Sequence, residues 1–223
     1  MDASVLTAVI ALTAVLRLPE QKSRSRGNYG LETAIANYCQ VVQNRRAWIC
    51  FSVVFVEGAV IYGWLPYLGE FLRSLKLGGV REAGFIISGL ALGGILYTLI
   101  VPTLLRVTHR RQMMMLGGLF AALGLFCLSF GAVWQIQWGF MGVTGFGFFM
   151  LHNPIQTEVS ELAPEARASA FSLHSLSFYI GQAFGPILYA AGAFSIGLPN
   201  CLLIGSGAFI LIGLGAWQLL SRV

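Results

Sequence analysis

From Ala168 to Ser221 the chain contains no Asp, Glu, Lys or Arg, a run of 54 residues. One helical bilayer crossing takes about 20 residues. The run therefore crosses twice, with a break expected near Gly197-Leu198-Pro199-Asn200. An acidic connector, Glu158 to Arg167, precedes it. Upstream the pattern repeats as apolar spans separated by short charged loops. The chain is 57% hydrophobic and 10% charged, whereas a soluble domain carries roughly 25% charged residues. Its mean hydropathy is +0.75. These values exclude a soluble fold and call for lipid as the solvent.

The net charge of +5 does not point to nucleic acid, because the basic residues sit in loops beside the spans, where they set topology and meet anionic headgroups. The four cysteines, Cys39, Cys50, Cys127 and Cys201, show no C-x-x-C or Cys/His spacing, so neither a zinc site nor a disulfide framework is expected. The first 17 residues lack a basic start, and no cleaved signal peptide is expected.

Along the chain, residues 1–17 form a short apolar helix, read as the remnant of a preceding span. Residues 18–46 form a basic loop, in which Leu31, Ile35, Tyr38 and Val42 fall at helical spacing. This is the pattern of an amphipathic helix on the membrane surface. Residues 47–223 carry six full spans. Ala47 to Gly69 is interrupted only by Glu57, and a polar hairpin from Glu70 to Glu82 follows. Ala83 to Leu105 is charge-free. Beyond a basic turn at Arg106 to Arg111, the charge-free stretch Gln112 to Thr157 holds two spans that break near Trp134-Gln135.

Eleven basic residues then fall on one side of the membrane and three, Arg73, Lys76 and Arg81, on the other. The positive-inside rule places the first group, and the C-terminus, in the cytoplasm. Trp48, Trp64, Trp134, Trp138 and Trp217 lie near span ends, as an aromatic belt requires.

Six spans behind a basic loop and a helix tail resemble the C-terminal half of a major facilitator superfamily transporter. The most specific stretch is Leu151 to Pro186, LHNPIQTEVSELAPEARASAFSLHSLSFYIGQAFGP. It is similar to the tenth and eleventh helices of bacterial sugar- and drug-efflux members. FVEGAVIYGWLPYL resembles their seventh helix. Gly181-Gln182-Ala183-Phe184-Gly185-Pro186 is similar to the first half of the antiporter motif GxxxGPxxGG, with Tyr189-Ala190 in place of its last glycines. Arg110 and Arg111 match the end of the loop motif GxxxDRxGRR, while Arg106 and His109 replace its Asp and Gly.

The resemblance implies twelve helices in two halves, with the substrate site between the halves near midplane. It further implies that the seventh, tenth and eleventh helices line the cavity while the ninth and twelfth face lipid. The missing partner is then an N-terminal six-helix half or a second copy. The expected location is the inner (plasma) membrane, the expected partners are a small-molecule solute and the bilayer, and no cofactor is expected.

The polar residues fit that division. Glu57 lies in the seventh span. His152, Asn153 and Gln156 lie in the tenth, and His174 and Gln182 in the eleventh. The ninth and twelfth have little beyond Ser129 and Ser206 away from their ends. Glu57 is roughly 15 Å along its helix from Ala47. A charge at that depth costs on the order of 3 kcal/mol, so it requires a cavity, a partner or a proton. It serves proton coupling or substrate binding, or else packs helices as a neutral acid.

His152 and Gln156 share a helix face, and Pro154 leaves the carbonyl of Met150 without its donor, where a kink is expected. His152 and His174 each lie roughly 10 Å in from the basic side. They either line one inner vestibule or bond between helices. With no nearby carboxylate, they do not make a convincing metal site. Gly89 with Gly93, and Gly181 with Gly185, allow close helix approach, and Pro186 adds a bend.

Two functional classes remain: a proton-linked efflux permease working by alternating access, and a non-transporting membrane fragment or partner subunit. A membrane enzyme lacks a Ser/His/Asp set, a metal motif or paired midplane carboxylates.

Overall fold

A computed structural model describes residues 12–13 and 30–220, and all its regular structure among them is helical. The apolar segment 1–17 lies outside the described residues except for positions 12–13, which are helical, and residues 18–29 and Arg222 also lie outside them. The chain divides into two compact units at Ile35–Ala36, within helix α1 (Leu31–Gln43). Leu31, Ile35, Tyr38 and Val42 on α1 are all exposed.

The helical bundle belongs to the second unit. Its elements are α2 (Arg45–Gly63), α3 (Leu68–Ser74), α4 (Val80–Val107), α5 (Arg110–Ser129), α6 (Trp134–Leu162), α7 (Arg167–Ser195) and α8 (Leu198–Leu219). Asn44 starts α2 by accepting the Arg46 N–H on its side-chain oxygen at 3.0 Å. The Glu82 carboxylate accepts the Gly79 N–H at 2.8 Å at the start of α4, where four backbone donors would otherwise lack partners.

Four segments are long and apolar enough to cross a membrane: Arg45–Ser74, Val80–Val107, Arg110–Ser129 and Leu198–Leu219. The other two long helices, α6 and α7, have 29 residues each. Polar residues such as Gln137, His152 and Asn153 on α6, and Ser172, His174 and Gln182 on α7, lower their hydropathy, so six helices are long, and four segments are also apolar enough to cross.

Helix packing runs through glycine. α2 lies against α7, where a Cβ at Gly181 would strike the carbonyl of Phe55 and one at Gly185 the carbonyl of Ala59. α4 lies against α6, where a Cβ at Gly93 would meet the carbonyl of Gly142. In lipid, association rests on close van der Waals approach rather than on a hydrophobic driving force. α5 sits between α6 and α8, and Ser206 on α8 donates to the carbonyl of Ala122 on α5 at 2.8 Å.

Three expectations are corrected. The acidic connector is mostly helix: α6 continues to Leu162, and only Ala163 and a 3-10 turn, Pro164–Ala166, separate it from α7. Glu158 and Glu161, good helix formers, lie on this last part of α6, where arginines from other helices meet them. Trp64, the residue after α2, is 1% exposed, so it fills the core instead of joining an interfacial belt. Ser129 is the last residue of α5, not a mid-span group. Pro154 and Pro186 both lie inside their helices, which continue beyond them. Pro154 is buried, and Tyr67 donates its hydroxyl to the carbonyl of Pro186 at 2.8 Å.

Candidate functional site

Three polar residues converge where α2, α6 and α7 meet. Glu57, midway along α2, is 0% exposed, and its Oε2 lies 2.7 Å from Nδ1 of His152 on α6. This corrects the expectation that the histidines have no carboxylate nearby. Glu57 is 95 residues from His152 in sequence, and helix packing brings the two together. The other carboxylate oxygen, Oε1, is buried without a partner. His152 keeps 14% of its side-chain surface, so the imidazole is the more accessible member of the pair.

His174 on α7 completes the cluster. Its ring centroid is 5.2 Å from that of His152. It is 1% exposed, and neither ring nitrogen has a partner. Phe148 stacks on His152 at 5.2 Å, and Phe178 lies at the same centroid distance from it. Phe171 stacks on His174 at 6.0 Å. This surround leaves Glu57 and His174 almost no exposed surface, and a low local dielectric strengthens any charge-assisted bond and raises the cost of an unpaired polar group.

The remaining sequence candidates lie apart from this pair. Asn153 faces the other way on α6, where its amide interacts with the Tyr97 hydroxyl of α4. The half-buried side chains of Gln156 and Gln182 make no hydrogen bond among the described residues. The backbone nitrogen of Gln182 lies where a Cβ at Gly58 would come within 3.1 Å. Gly89, Gly93, Gly181 and Gly185 are packing contacts. No group of three or more His, Cys, Asp or Glu among the described residues could hold a metal.

A second polar cluster sits at the end of the bundle where α2 and α5 begin and α6 and α8 finish. Nη2 of Arg46 donates to Oε1 of Glu158 at 2.6 Å and to the carbonyl of Leu220 at 3.0 Å. Arg110 grips Glu161 with two bonds, of 2.6 and 3.1 Å, and approaches Oε2 of Glu158 to 3.7 Å. Beyond the apolar part of α6, the Arg110 guanidinium holds the Glu161 carboxyl below its usual range. Arg111 forms no ion pair among the described residues.

Sequence reasoning missed Arg46, assigning it to the loop. The available signal was that Arg46, Arg110 and Glu158 were all expected at one membrane face. It also missed the Glu57–His152 bond, although both residues count inward from that same face to similar depths.

The family model described as Major Facilitator Superfamily matches residues 3–186. A comparison with curated proteins finds no match. The chain belongs to the major facilitator superfamily of membrane transporters.

Proposed function

We propose that this chain is one six-helix half of a proton-linked permease that exports a small organic solute, sugar-like or drug-like, across the inner membrane by alternating access. In this reading all six long helices span the bilayer, and the end bearing Arg46, Arg110 and the C-terminus faces the cytoplasm. A second six-helix bundle supplies the facing wall of the cavity. It comes from the same polypeptide, a separate chain or a second copy.

The observation that carries the reading is the 2.7 Å contact between Glu57 and His152 inside an aromatic enclosure. An ionisable pair within a membrane bundle is costly and marks ion or proton pathways. The pair is electrically neutral with one shared proton, whether as carboxylate with imidazolium or as acid with imidazole. A second proton leaves a net charge in an apolar site and removes the charge-assisted bond. The doubly protonated state therefore favours a conformation that admits water or substrate. His152, with its residual exposure, passes protons between the cavity and Glu57.

Glu57→Gln keeps shape and neutral hydrogen bonding but cannot titrate. Assayed in proteoliposomes with the complementary half present, it loses pH-driven transport and retains solute binding and exchange. Full pH-driven transport by this variant sinks the proposal. For orientation, a cysteine placed at Lys76 is labelled from outside and one at Arg110 is not, and the reverse pattern inverts the topology.

A further inference from the structure

We propose that the arginine-lined end of the bundle is a phosphate-binding cavity that takes the headgroup of an anionic phospholipid or a soluble group of the same chemistry. The cavity has a volume of about 570 Å³ and is lined by Arg46, His109, Arg110, Arg111, Glu158 and Trp217, among others. Three guanidinium groups thus face one carboxylate. Glu158 and Glu161 partly satisfy Arg46 and Arg110, yet the exposed guanidinium of Arg111 has no anionic partner among the described residues.

The ligand that suits this arrangement is acceptor-only, anionic and multi-oxygen. A phosphate meets that need, and the planar fork of Arg matches its oxygens in pairs. The cavity lies at the helix ends, with Trp217, 38% exposed, at its edge. Tryptophan at such a position marks the headgroup layer. Basic pockets between helices at that depth hold anionic lipid headgroups. The lipid is present there at the high local concentration of the membrane itself.

The test uses the purified full chain in nanodiscs of phosphatidylcholine with or without phosphatidylglycerol, reading co-purified lipid by native mass spectrometry. The variant is Arg111→Gln, chosen because Arg111 is exposed and unpaired and its loss leaves the fold intact. Arg106→Gln, an exposed basic residue of the same turn outside the cavity lining, is the control. The native chain retains phosphatidylglycerol over phosphatidylcholine, and Arg111→Gln reduces that preference about ten-fold, the scale of losing one hydrogen bond between charged groups. Arg106→Gln leaves it in place, and Arg111→Lys restores part of it.

Unfolding temperature in pure phosphatidylcholine discs, with and without millimolar inorganic phosphate, separates the sources. Stabilisation by phosphate that Arg111→Gln abolishes identifies a soluble ligand of this site, and retention of phosphatidylglycerol undisturbed by phosphate identifies the lipid. Absence of both effects overturns the proposal. Equal loss in Arg106→Gln and Arg111→Gln overturns it too, because the attraction is then diffuse surface charge.

Discussion

The two polar clusters use the same chemistry, a carboxylate against a nitrogen base, in opposite surroundings. Among the described residues Glu57 and His152 bond only to each other, within a surround of aromatic rings and His174, and the carboxylate has no exposure at all. Arg46, Glu158, Arg110 and Glu161 form a chain of pairs with side-chain exposures from 14% to 53%. In the interior each partner is the other's only compensation, so the pair is indivisible. At the end of the bundle water shares the work, and any one member is replaceable. An isolated buried pair is therefore suited to switching, whereas a partly solvated network is suited to tying helix ends together.

The largest expected effect is in the interior. His152→Leu strands the Glu57 carboxylate, and breaking a buried pair this way costs about 3–5 kcal/mol. Detergent unfolding should show that loss, and Glu57→Gln/His152→Leu should recover much of it. Strict additivity of the two single variants would break the contrast, because it would mean the residues do not depend on each other.

An intermediate effect is expected at Arg46. Arg46→Gln removes the bond to Glu158 and weakens the tie to the Leu220 carbonyl. The cost is about 1–2 kcal/mol, because Glu158 is mostly enclosed but keeps Arg110 nearby. A loss as large as that of His152→Leu would make the two clusters energetically alike.

The smallest effect is at Glu161, which is half exposed. Glu161→Gln costs about 0.5 kcal/mol or less in neutral solution, since exposed pairs are solvated. Its pH dependence has a defined sign. The folded-state carboxyl is held below its usual range by Arg110. The stabilisation is therefore present above the ordinary carboxyl pKa of about 4.3. It disappears as pH falls through the depressed folded value. Unfolding temperatures of the native chain and Glu161→Gln should converge in acid. Divergence there would mean that Glu161 acts through something other than its charge.

What could be read from sequence was what depends on neighbours along the chain. The charge-free run from Ala168 placed two long helices on either side of Gly197, and the described helices α7 and α8 separate there. The break near Trp134 was equally local, and α6 begins at that residue. Apolar composition determined the solvent, since no soluble fold could bury so much surface. Glu57 was conspicuous because an acid within an apolar span is costly wherever the helix goes. Its partner was hidden because 95 residues of chain separate it from His152.

Only the tertiary structure decided which polar groups meet. Gly181 and Gly185 let α7 press against α2, and this approach, with α6 alongside, brings Glu57, His152 and His174 together while turning Asn153 toward Tyr97. The same packing buried Trp64, whose sequence position resembled that of the exposed Trp48. It also brought Arg46 to Glu158 and Arg110 to Glu161. Spacing along a helix determines which face a residue occupies, but the energy of a buried charge depends on what the facing helix presents, and that depends on backbone approach between segments far apart in sequence.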